Sequence, residues 1–375
     1  MVKFGKILLL VCIVFVLFVP ILQQNIKISL EQDFLNGYYV PARDTVLNSK
    51  TWFERVYQEK MDNYVNENFG FRKLLVKLDN QINYTVNGNF NVKHLLSAKE
   101  NYLFDKKFID EFTGRSYRGK AHIDSVVTDL SRLNDSLKAK GKKLLICFAP
   151  CKESFYPEYL PDSIRISNET ISNYTQYKKE FERKKISLLD YNVLFKQMKD
   201  TVSYPLFNQG GVHWTTYGTY LALDTLLKRI TYETKKRTNS IRFKTIEISE
   251  TARYADDDIV KAMNIYQNIN SGKLAYPTVE FTLHPDSCDK PKVIIVGDSF
   301  YYGLNNTWLP LSTFSQESYF LYYFQQVIPY DIKKDGMQMQ ALDFKKELKN
   351  TDLVILFFSI GNLNQFPYGA TSMID

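Results

Sequence analysis

Hydrophobic and polar positions follow two alternating patterns along most of the chain. Short apolar runs rich in β-branched and aromatic residues are typical of buried strands, and longer segments with helical spacing separate them. This alternation predicts an α/β fold in which helices cover both faces of a mostly parallel sheet. The predicted strands are Lys143–Phe148, Ile186–Leu189, Val293–Val296 and Leu353–Phe358, and the predicted helices are Ile123–Lys140, Thr170–Lys184 and Tyr217–Ile230.

The amino terminus has a third pattern, because Ile7–Leu22 contains no charged residue and follows Lys3 and Lys6. At about 1.5 Å per residue this segment is short for a hydrocarbon core, but Lys6 can snorkel at one interface and Gln23 and Gln24 can lie at the other. Its length also fits the apolar part of a secretory signal, yet no small-residue cleavage site follows it. We therefore predict an uncleaved signal anchor with the lysines inside and the later residues outside the membrane.

The domain organisation follows from these patterns. Residues 1–24 are predicted to form the membrane anchor, residues 25–90 a polar helical region, and residues 91–375 a single α/β domain. The stretch 232–292 is less regular and is expected to decorate the fold near its site. With 375 residues and 45% hydrophobic content, the chain is long enough to bury a full core.

The predicted strand Val293–Val296 leads into Gly297, Asp298 and Ser299. Functional groups of open α/β sheets lie at the carboxyl ends of strands. A serine there can expose its Oγ as a nucleophile and offer its own amide to an oxyanion, while the glycine permits a tight turn and close approach of a substrate. The alternative is an ordinary strand-to-loop turn capped by Asp298 and Ser299.

A serine nucleophile needs a base with a pKa near neutrality, and histidine is the usual one. The chain has four histidines, and His94, His122 and His284 lie in segments without the pattern of a positioned site. His213 follows two glycines, Gly210 and Gly211, and precedes a tryptophan and the start of a predicted helix. It is therefore the candidate base. The alternative is a structural histidine packed beside that tryptophan.

Several short motifs, taken together and in order, resemble the alginate O-acetyltransferase family. Each motif is weak alone, but five in the family's order are specific, and they cover nearly everything after the membrane segment. They are Glu67–Arg72 with its Phe-Gly-Phe-Arg element, Asn101–Phe104, Ala149–Lys152 with its Pro-x-Lys element followed by Tyr156–Pro161, His213-Trp214 followed by Tyr217-Gly218, and Gly297–Phe300.

The resemblance implies a three-layer, SGNH-hydrolase-like sandwich anchored in the bacterial inner membrane and facing the periplasm or cell exterior. In such enzymes the serine takes an acetyl group and the histidine acts as base, which assigns these roles to Ser299 and His213. A membrane-bound O-acyltransferase partner supplies the acetyl group, and the anchored domain delivers it to a polysaccharide. The resemblance implies no nucleotide or metal cofactor.

One position departs from the family, which usually carries an aspartate two residues before the histidine. Here that residue is Gly211. Loss of the orienting acid can cost on the order of 10⁴ in rate where nothing replaces it. Asp190, at the end of a short apolar run, is the first candidate for a replacement, and the acidic cluster Asp256–Asp258 is the second.

Substrate contacts are expected from residues beside these motifs. The chain contains 26 tyrosines and 26 phenylalanines, and tyrosine offers a flat face with a hydroxyl that suits a sugar. The Gly-Asn pair after the last predicted strand is like the Gly-x-Asn oxyanion element of SGNH hydrolases, with an ordinary turn as the alternative. The predicted substrate-binding residues are Lys152, Trp214, Gly297, Asp298, Tyr301, Tyr302, Gly361 and Asn362.

Charge and spacing exclude some classes of function and leave others open. The net charge of +7 comes from basic residues scattered among acids, with neither a basic stripe nor a zinc-ligand spacing, so nucleic-acid binding is not expected. Two alternatives to acetyl transfer remain. One is a carbohydrate esterase that uses water as acceptor, and the other is a non-catalytic polysaccharide-binding scaffold, which Gly211 would favour.

Overall fold

The computed structural model describes residues 2–26, 35–37, 46–88, 92, 94–164, 170–267, 269, 271–282 and 289–374. His284, one of the four histidines, lies outside the described residues. The chain divides into two compact units. The first comprises Met1–Lys93 with Val260–Ile269, and the second comprises His94–Ile259 with Asn270–Asp375.

The first unit begins with a long apolar helix. Its stretch Phe4–Gln23 has a mean hydropathy of 2.9 and is, by length and composition, able to cross a membrane. Three further helices follow within the predicted polar region. The helices are α1 (Val2–Ile26), α2 (Ser49–Phe53), α3 (Val56–Asn68) and α4 (Arg72–Asn87).

The second unit contains the strands and most of the helices. The strands are β1 (Leu95–Ser97), β2 (Leu103–Asp105), β3 (Lys143–Ala149), β4 (Leu188–Asp190), β5 (Ser240–Ser249), β6 (Leu274–Thr282), β7 (Val293–Gly297), β8 (Tyr319–Tyr322), β9 (Gln326–Pro329) and β10 (Leu353–Ser359). The helices that begin in it are α5 (Lys106–Phe112), α6 (Lys120–Ala139), α7 (Lys152–Phe155), α8 (Asn173–Lys184), α9 (Tyr191–Met198), α10 (Thr216–Thr234), α11 (Asp258–Met263), α12 (Ser299–Asn305), α13 (Leu309–Thr313) and α14 (Phe344–Asn350). Short 3-10 helices lie at Lys99–Asn101, Pro157–Tyr159, Ile332–Lys334, Met339–Ala341, Ile360–Gln365 and Ala370–Ile374.

Six of these strands form the central sheet in the order β4-β3-β10-β7-β8-β9. The first five run parallel, and β9 returns antiparallel to β8 at one edge. The central strands β7 and β10 are buried along their whole length, as the predicted apolar runs require in a sheet covered on both faces. The carboxyl ends of β3, β10 and β7 therefore meet at one edge.

Aromatic contacts identify the layers on the two faces. On one face, Phe148 of β3 packs against Phe181 of α8, with ring centroids 5.8 Å apart. On the other, Phe357 of β10 packs against Tyr191 of α9 and Tyr301 of α12, at 5.6 and 5.5 Å. The predicted three-layer α/β sandwich is confirmed.

The structure also differs from the prediction in two places. Strand β8 and the edge strand β9 are only four residues each, too short for a clear apolar run. The stretch 232–292 contains the antiparallel pair β5–β6. Strand β5 mixes exposed and half-buried residues, and β6 is buried only over its first three residues, so neither has the long apolar run used to find the central strands. The chain between these two strands proves essential to the site.

Candidate active site

The carboxyl edge of the sheet brings the predicted nucleophile to the surface. Strand β7 ends at Gly297, Asp298 caps the next helix, and Ser299 is the first residue of α12. The neighbouring strand β10 ends at Ser359, in parallel register with β7. A serine on this turn has its hydroxyl at the edge where open α/β sheets place their functional groups.

Asp298 fixes the backbone on both sides of this edge and is fully buried, with 0% exposure. Its Oδ1 accepts a hydrogen bond from the Phe300 amide at 3.0 Å. Its Oδ2 accepts from the Ser359 amide and from Asn362 Nδ2, each at 2.8 Å. Burial raises the pKa of Asp298, and these three donors oppose that rise. The predicted substrate-binding role is therefore wrong for Asp298, which positions Ser299.

His213 lies directly against the serine. Its Nε2 is 2.8 Å from Ser299 Oγ, although the residues are 86 positions apart in the chain. The imidazole packs against the Phe300 ring at 4.8 Å between centroids, and 21% of its side chain remains exposed. The contact expected between His213 and Ser299 is present, and the imidazole is still reached by solvent.

The other imidazole nitrogen is held by Asp258. His213 Nδ1 is 2.5 Å from Asp258 Oδ2, and Asp258 Oδ1 accepts a hydrogen bond from the Val212 amide at 2.7 Å. One carboxylate therefore holds two successive residues, which fixes the orientation of the imidazole. This is the arrangement of a serine–histidine–acid triad. The second of the two candidate acid positions, the cluster Asp256–Asp258, supplies it.

Asp190, the first candidate, is the wrong acid. Its Oδ2 accepts hydrogen bonds from Tyr174 and Lys178 at 2.8 Å each, and its Oδ1 accepts from the Val193 amide at 3.2 Å. Asp190 ends β4, and strands β3 and β10 lie between β4 and the strand that carries Ser299. The separation across the sheet explains why Asp190 does not reach His213.

The glycine at position 211 and the acid at position 258 are two parts of one arrangement. A Cβ on Gly211 would lie 2.5 Å from the carbonyl oxygen of Asp256 and 3.2 Å from its carbonyl carbon, both backbone atoms. A side chain at position 211 is therefore sterically excluded while the 256–258 segment approaches this closely. That approach brings Asp258 to the imidazole, so the missing side chain makes room for the acid that replaces it.

Hydrogen bonds hold the 256–258 segment against the start of α10. Asp256 Oδ1 accepts from the Thr216 amide at 2.8 Å, and the Asp256 carbonyl accepts from Asn208 Nδ2 at 2.7 Å. Asn208 and Asp256 are both buried. Asp256 belongs to the acidic cluster that was the second candidate for the acid, whereas no local sequence pattern selected Asn208 as part of the site.

Lys152 holds the chain that leads to His213 from the other side. It is 1% exposed, and its Nζ donates to the carbonyls of Asn208, Gln209 and Gly211 at 3.2, 2.8 and 2.5 Å. A neutral amine has only two N–H groups, so three such bonds require the ammonium form. All three protons are used by the protein. The predicted substrate-binding role of Lys152 is therefore wrong, and the side chain positions residues 208–213, which we call the histidine loop.

The charges around the imidazole favour a basic histidine beside an ionised acid. Burial lowers the pKa of His213, but the hydrogen bond and charge of Asp258, together with the charge of Asp298, raise it above its ordinary value. Burial raises the pKa of Asp258, but His213, the Val212 amide and Lys152 hold it below its ordinary value. Burial lowers the pKa of Lys152, and the charges of Glu153 and Asp258 oppose that decrease.

Four other predicted substrate contacts are interior residues. A Cβ on Gly297 would lie 2.9 Å from the Phe357 carbonyl oxygen, so this glycine permits close strand packing rather than approach of a substrate. Trp214 is 2% exposed and packs in the aromatic core, and Tyr301 is fully buried with its hydroxyl 2.7 Å from that of Tyr330. The Gly361 amide donates to Ser359 Oγ at 3.2 Å.

Asn362 is also committed to the protein. One N–H of its amide goes to Asp298, and its Oδ1 accepts from Lys107 Nζ at 2.9 Å. These bonds account for the Gly361 amide and for one N–H of Asn362, and an oxyanion role for the second Asn362 N–H stays a prediction. Of the eight predicted substrate-binding residues only Tyr302, which is 37% exposed, presents its side chain at the surface. Within the described part of the chain, no group of three or more histidine, cysteine, aspartate or glutamate residues could hold a metal ion.

Comparison with known proteins places this site in a family context. A model of the SGNH hydrolase-like domain of acetyltransferase AlgX matches residues 98–308, more than half of the chain. Similar solved structures include the O-acetyltransferase domain of Pseudomonas putida AlgJ (18% identity, TM-score 0.45, covering 72% of this chain and 92% of that one). Others are Pseudomonas aeruginosa AlgX (15%, 0.45, 78% and 71%) and Bacillus cereus PatB1 (12%, 0.43, 72% and 96%). No curated protein matches the chain significantly.

We expect Asp258→Asn to lower kcat for hydrolysis of an activated acetyl ester by about 10²- to 10⁴-fold, because an amide favours the wrong imidazole tautomer and cannot stabilise the imidazolium ion. The pH dependence should also change. Since Asp258 raises the pKa of His213, its loss should move the acidic limb of kcat/KM to lower pH. Steady-state rates from about pH 5 to about pH 9 measure both effects.

Asp190→Asn is the matched control, because it makes the same acid-to-amide change at a carboxylate held by Tyr174 and Lys178. It should leave the acidic limb where it is in the parent. Equal losses in both variants would contradict the assignment of Asp258.

We expect Lys152→Met to lower kcat by about 10²-fold with little change in KM, because the lost ammonium releases the loop that orients His213 rather than a group on the substrate. Lys152→Arg should recover part of this loss by keeping the charge and the donors. Lys199→Met is the control for lost stability, since Lys199 also bonds protein acceptors, the Phe155 carbonyl and Glu158. A rise in KM at unchanged kcat would restore the substrate-binding interpretation.

Proposed function

The chain belongs to the family of SGNH hydrolase-like acetyltransferases that includes AlgX, and we propose that it transfers acetyl groups through Ser299 to a polysaccharide outside the cytoplasm. The observation that carries this proposal is the chain of contacts from Asp258 through His213 to Ser299, at 2.5 and 2.8 Å. A nucleophile, a base and an orienting acid in that order are the groups that acyl transfer needs.

The first half of the reaction acylates the enzyme. His213 Nε2 takes the proton of Ser299 as Oγ bonds to the carbonyl carbon of an acetyl ester, and Asp258 stabilises the resulting imidazolium. The tetrahedral intermediate then breaks its bond to the donor oxygen, which leaves with the proton from His213. The product is acetyl-Ser299 and a free donor hydroxyl.

The second half transfers the acetyl group. An acceptor hydroxyl gives its proton to His213 and attacks the acetyl-serine carbonyl, and the bond to Ser299 Oγ then breaks as the serine recovers that proton. A sugar hydroxyl as acceptor gives transfer, whereas water gives hydrolysis. The same residues serve both outcomes, so the acceptor that enters decides between a transferase and an esterase.

The Ser299 amide is the proposed donor to the oxyanion in both halves. It is the first amide of α12, and the first amides of a helix have no acceptor within the helix. Asp298 accepts from the amide of Phe300 instead, so its carboxylate does not compete for that of Ser299. Loss of one such donor typically costs about 10²- to 10³-fold in rate.

The amino-terminal helix supports a role at the membrane. Its apolar stretch Phe4–Gln23 would tether the domain to the bacterial inner membrane, with the site on the periplasmic or outer side. Family resemblance assigns the acetyl supply to a membrane-bound O-acyltransferase, and a tether would keep Ser299 near that donor. The scaffold alternative drew its support from Gly211, and that support is removed by the presence of Asp258 at His213.

We expect Ser299→Ala to abolish hydrolysis of an activated acetyl ester by the full-length protein in detergent, because it removes the hydroxyl that lies 2.8 Å from His213 Nε2. Ester hydrolysis is measured together with acetylation of an added oligosaccharide. When the parent protein is stopped during turnover, mass spectrometry should find the acetyl group on Ser299.

Ser131→Ala is the matched control, since it removes a serine hydroxyl that only bonds the Val127 carbonyl within α6. Equal rates for Ser299→Ala and the parent would reject the enzyme and favour the scaffold. Hydrolysis that persists at the parent rate in the presence of every oligosaccharide offered would favour the esterase.

We expect protease added to spheroplasts to digest the domain while the amino-terminal helix stays in the membrane, because lysines flank that helix on the cytoplasmic side. Immunoblotting against each end of the chain follows the digestion. Full protection of the domain would reverse the orientation. Recovery of a soluble form that lacks roughly the first 25 residues would make the helix a cleaved signal.

A further inference from the structure

Four tyrosines form a continuous row beside the nucleophile, and we call them the tyrosine row: Tyr302, Tyr322, Tyr323 and Tyr368. Consecutive ring centroids along it are 5.3, 4.5 and 5.0 Å apart. The row starts on the helix of the nucleophile, because Tyr302 lies three positions after Ser299 and so on the same side of α12. None of the four was assigned to the catalytic triad.

The backbone ties the middle of the row to the turn that carries Ser299. Tyr322 ends β8 and pairs with Gly297 of β7 in parallel register. The Tyr323 amide donates to the Gly297 carbonyl at 2.9 Å. Burial, followed by the charge of Asp298, raises the pKa of Tyr322 and of Tyr323, while Ser299 lowers that of Tyr323. The strand register and the Tyr323–Gly297 hydrogen bond place Tyr322 and Tyr323 beside the turn that carries Ser299.

The row is accessible and chemically suited to a sugar. Tyr302 is 37% exposed, and the other three side chains are half-buried. A phenol with the ordinary tyrosine pKa of about 10 is already protonated at neutral pH, and the pKa values of Tyr322, Tyr323 and Tyr368 are raised further. Their hydroxyl groups can therefore donate hydrogen bonds. Flat apolar faces edged by hydroxyl groups match a pyranose ring, which has C–H faces and hydroxyl edges.

Two segments of the row have left-handed backbone conformations that bulky residues rarely adopt. The φ angles are 50° at Tyr323, 57° at Phe324 and 58° at Tyr368. Backbone strain of this kind concentrates at sites that hold ligands, where it fixes side chains in positions that relaxed turns would not provide. Tyr323 and Tyr368 both have this conformation, and their ring centroids are 5.0 Å apart.

We infer that the tyrosine row is the subsite that holds a sugar ring of the acceptor while one of its hydroxyls attacks acetyl-Ser299. This inference rests on the proposed acetyl transfer and adds the residues that select the acceptor. It predicts that the acetyl-enzyme favours a pyranose over an open-chain alcohol, since only the ring has an apolar face to lay on the row.

The test measures how acetyl-Ser299 partitions between methyl glucoside, glycerol and water, with an activated acetyl ester as donor and the full-length protein in detergent. For the parent, transfer to methyl glucoside should exceed transfer to glycerol per hydroxyl. Tyr302→Leu and Tyr368→Leu should each lower the ratio of glucoside transfer to glycerol transfer by about tenfold, while Tyr302→Phe should keep it.

Tyr254→Leu is the matched control, because Tyr254 is 76% exposed and outside the row. A ratio of two transfers does not depend on how much of a variant is folded. Tyr302 is the most exposed member of the row, so its substitution should disturb the fold least. An unchanged ratio in both leucine variants, or a parent that transfers equally to glucoside and glycerol, would overturn the subsite while leaving the serine chemistry intact. Absence of any Ser299-dependent turnover would instead overturn the proposed function.

Discussion

The contact between the Asp258 carboxylate and His213 Nδ1, at 2.5 Å, is the interaction on which the rest of the site depends. An imidazole without an acceptor at Nδ1 is free to rotate and to place its proton on either nitrogen. With Asp258 in place the proton stays on Nδ1, which leaves Nε2 as the acceptor facing Ser299 Oγ. Because Asp258 also holds the Val212 amide, it fixes the backbone and the ring of adjacent residues together.

That contact depends in turn on how closely two chain segments approach. The carbonyl oxygen of Asp256 lies 2.5 Å from the position that a Cβ at residue 211 would take, and Asn208 and Thr216 bond the same aspartate. Lys152 meets the loop from the other side through three carbonyls. The histidine loop is thus held between the buried Lys152 ammonium and the acidic segment 256–258, so several contacts fix its geometry together.

Much of this could be predicted from sequence, and the remainder has identifiable physical reasons. Continuous apolar runs identified the central strands, because a parallel sheet buried on both faces admits few polar residues. Ser299 and His213 were found because each has a distinctive local pattern, a strand-end glycine turn and a paired glycine before a helix. Asp258 was only an alternative, because it lies among three adjacent acids in the connection between β5 and β6.

The direction of buried polar side chains was the least predictable feature. Lys152, Asp298 and Asn362 lie at the sites expected for substrate contacts, but each points into the protein and satisfies backbone or side-chain partners. Sequence proximity to a nucleophile does not distinguish a group that faces the substrate from one that faces the sheet.

Gly211 shows how the absence of a side chain can have two opposite meanings. In sequence it removes the aspartate that the family usually carries, and alone it would indicate a weakened site. In the folded protein, the lack of a side chain at Gly211 leaves room for the Asp256 carbonyl oxygen, which lies 2.5 Å from where a Cβ would be. The same close approach brings Asp258 to His213 Nδ1. An acid needs only to reach Nδ1, so its position in the chain is free to change wherever a second segment can come close enough. The glycine at position 211 therefore does not by itself predict an inactive site. Its effect depends on whether another segment, here 256–258, brings an acid to His213.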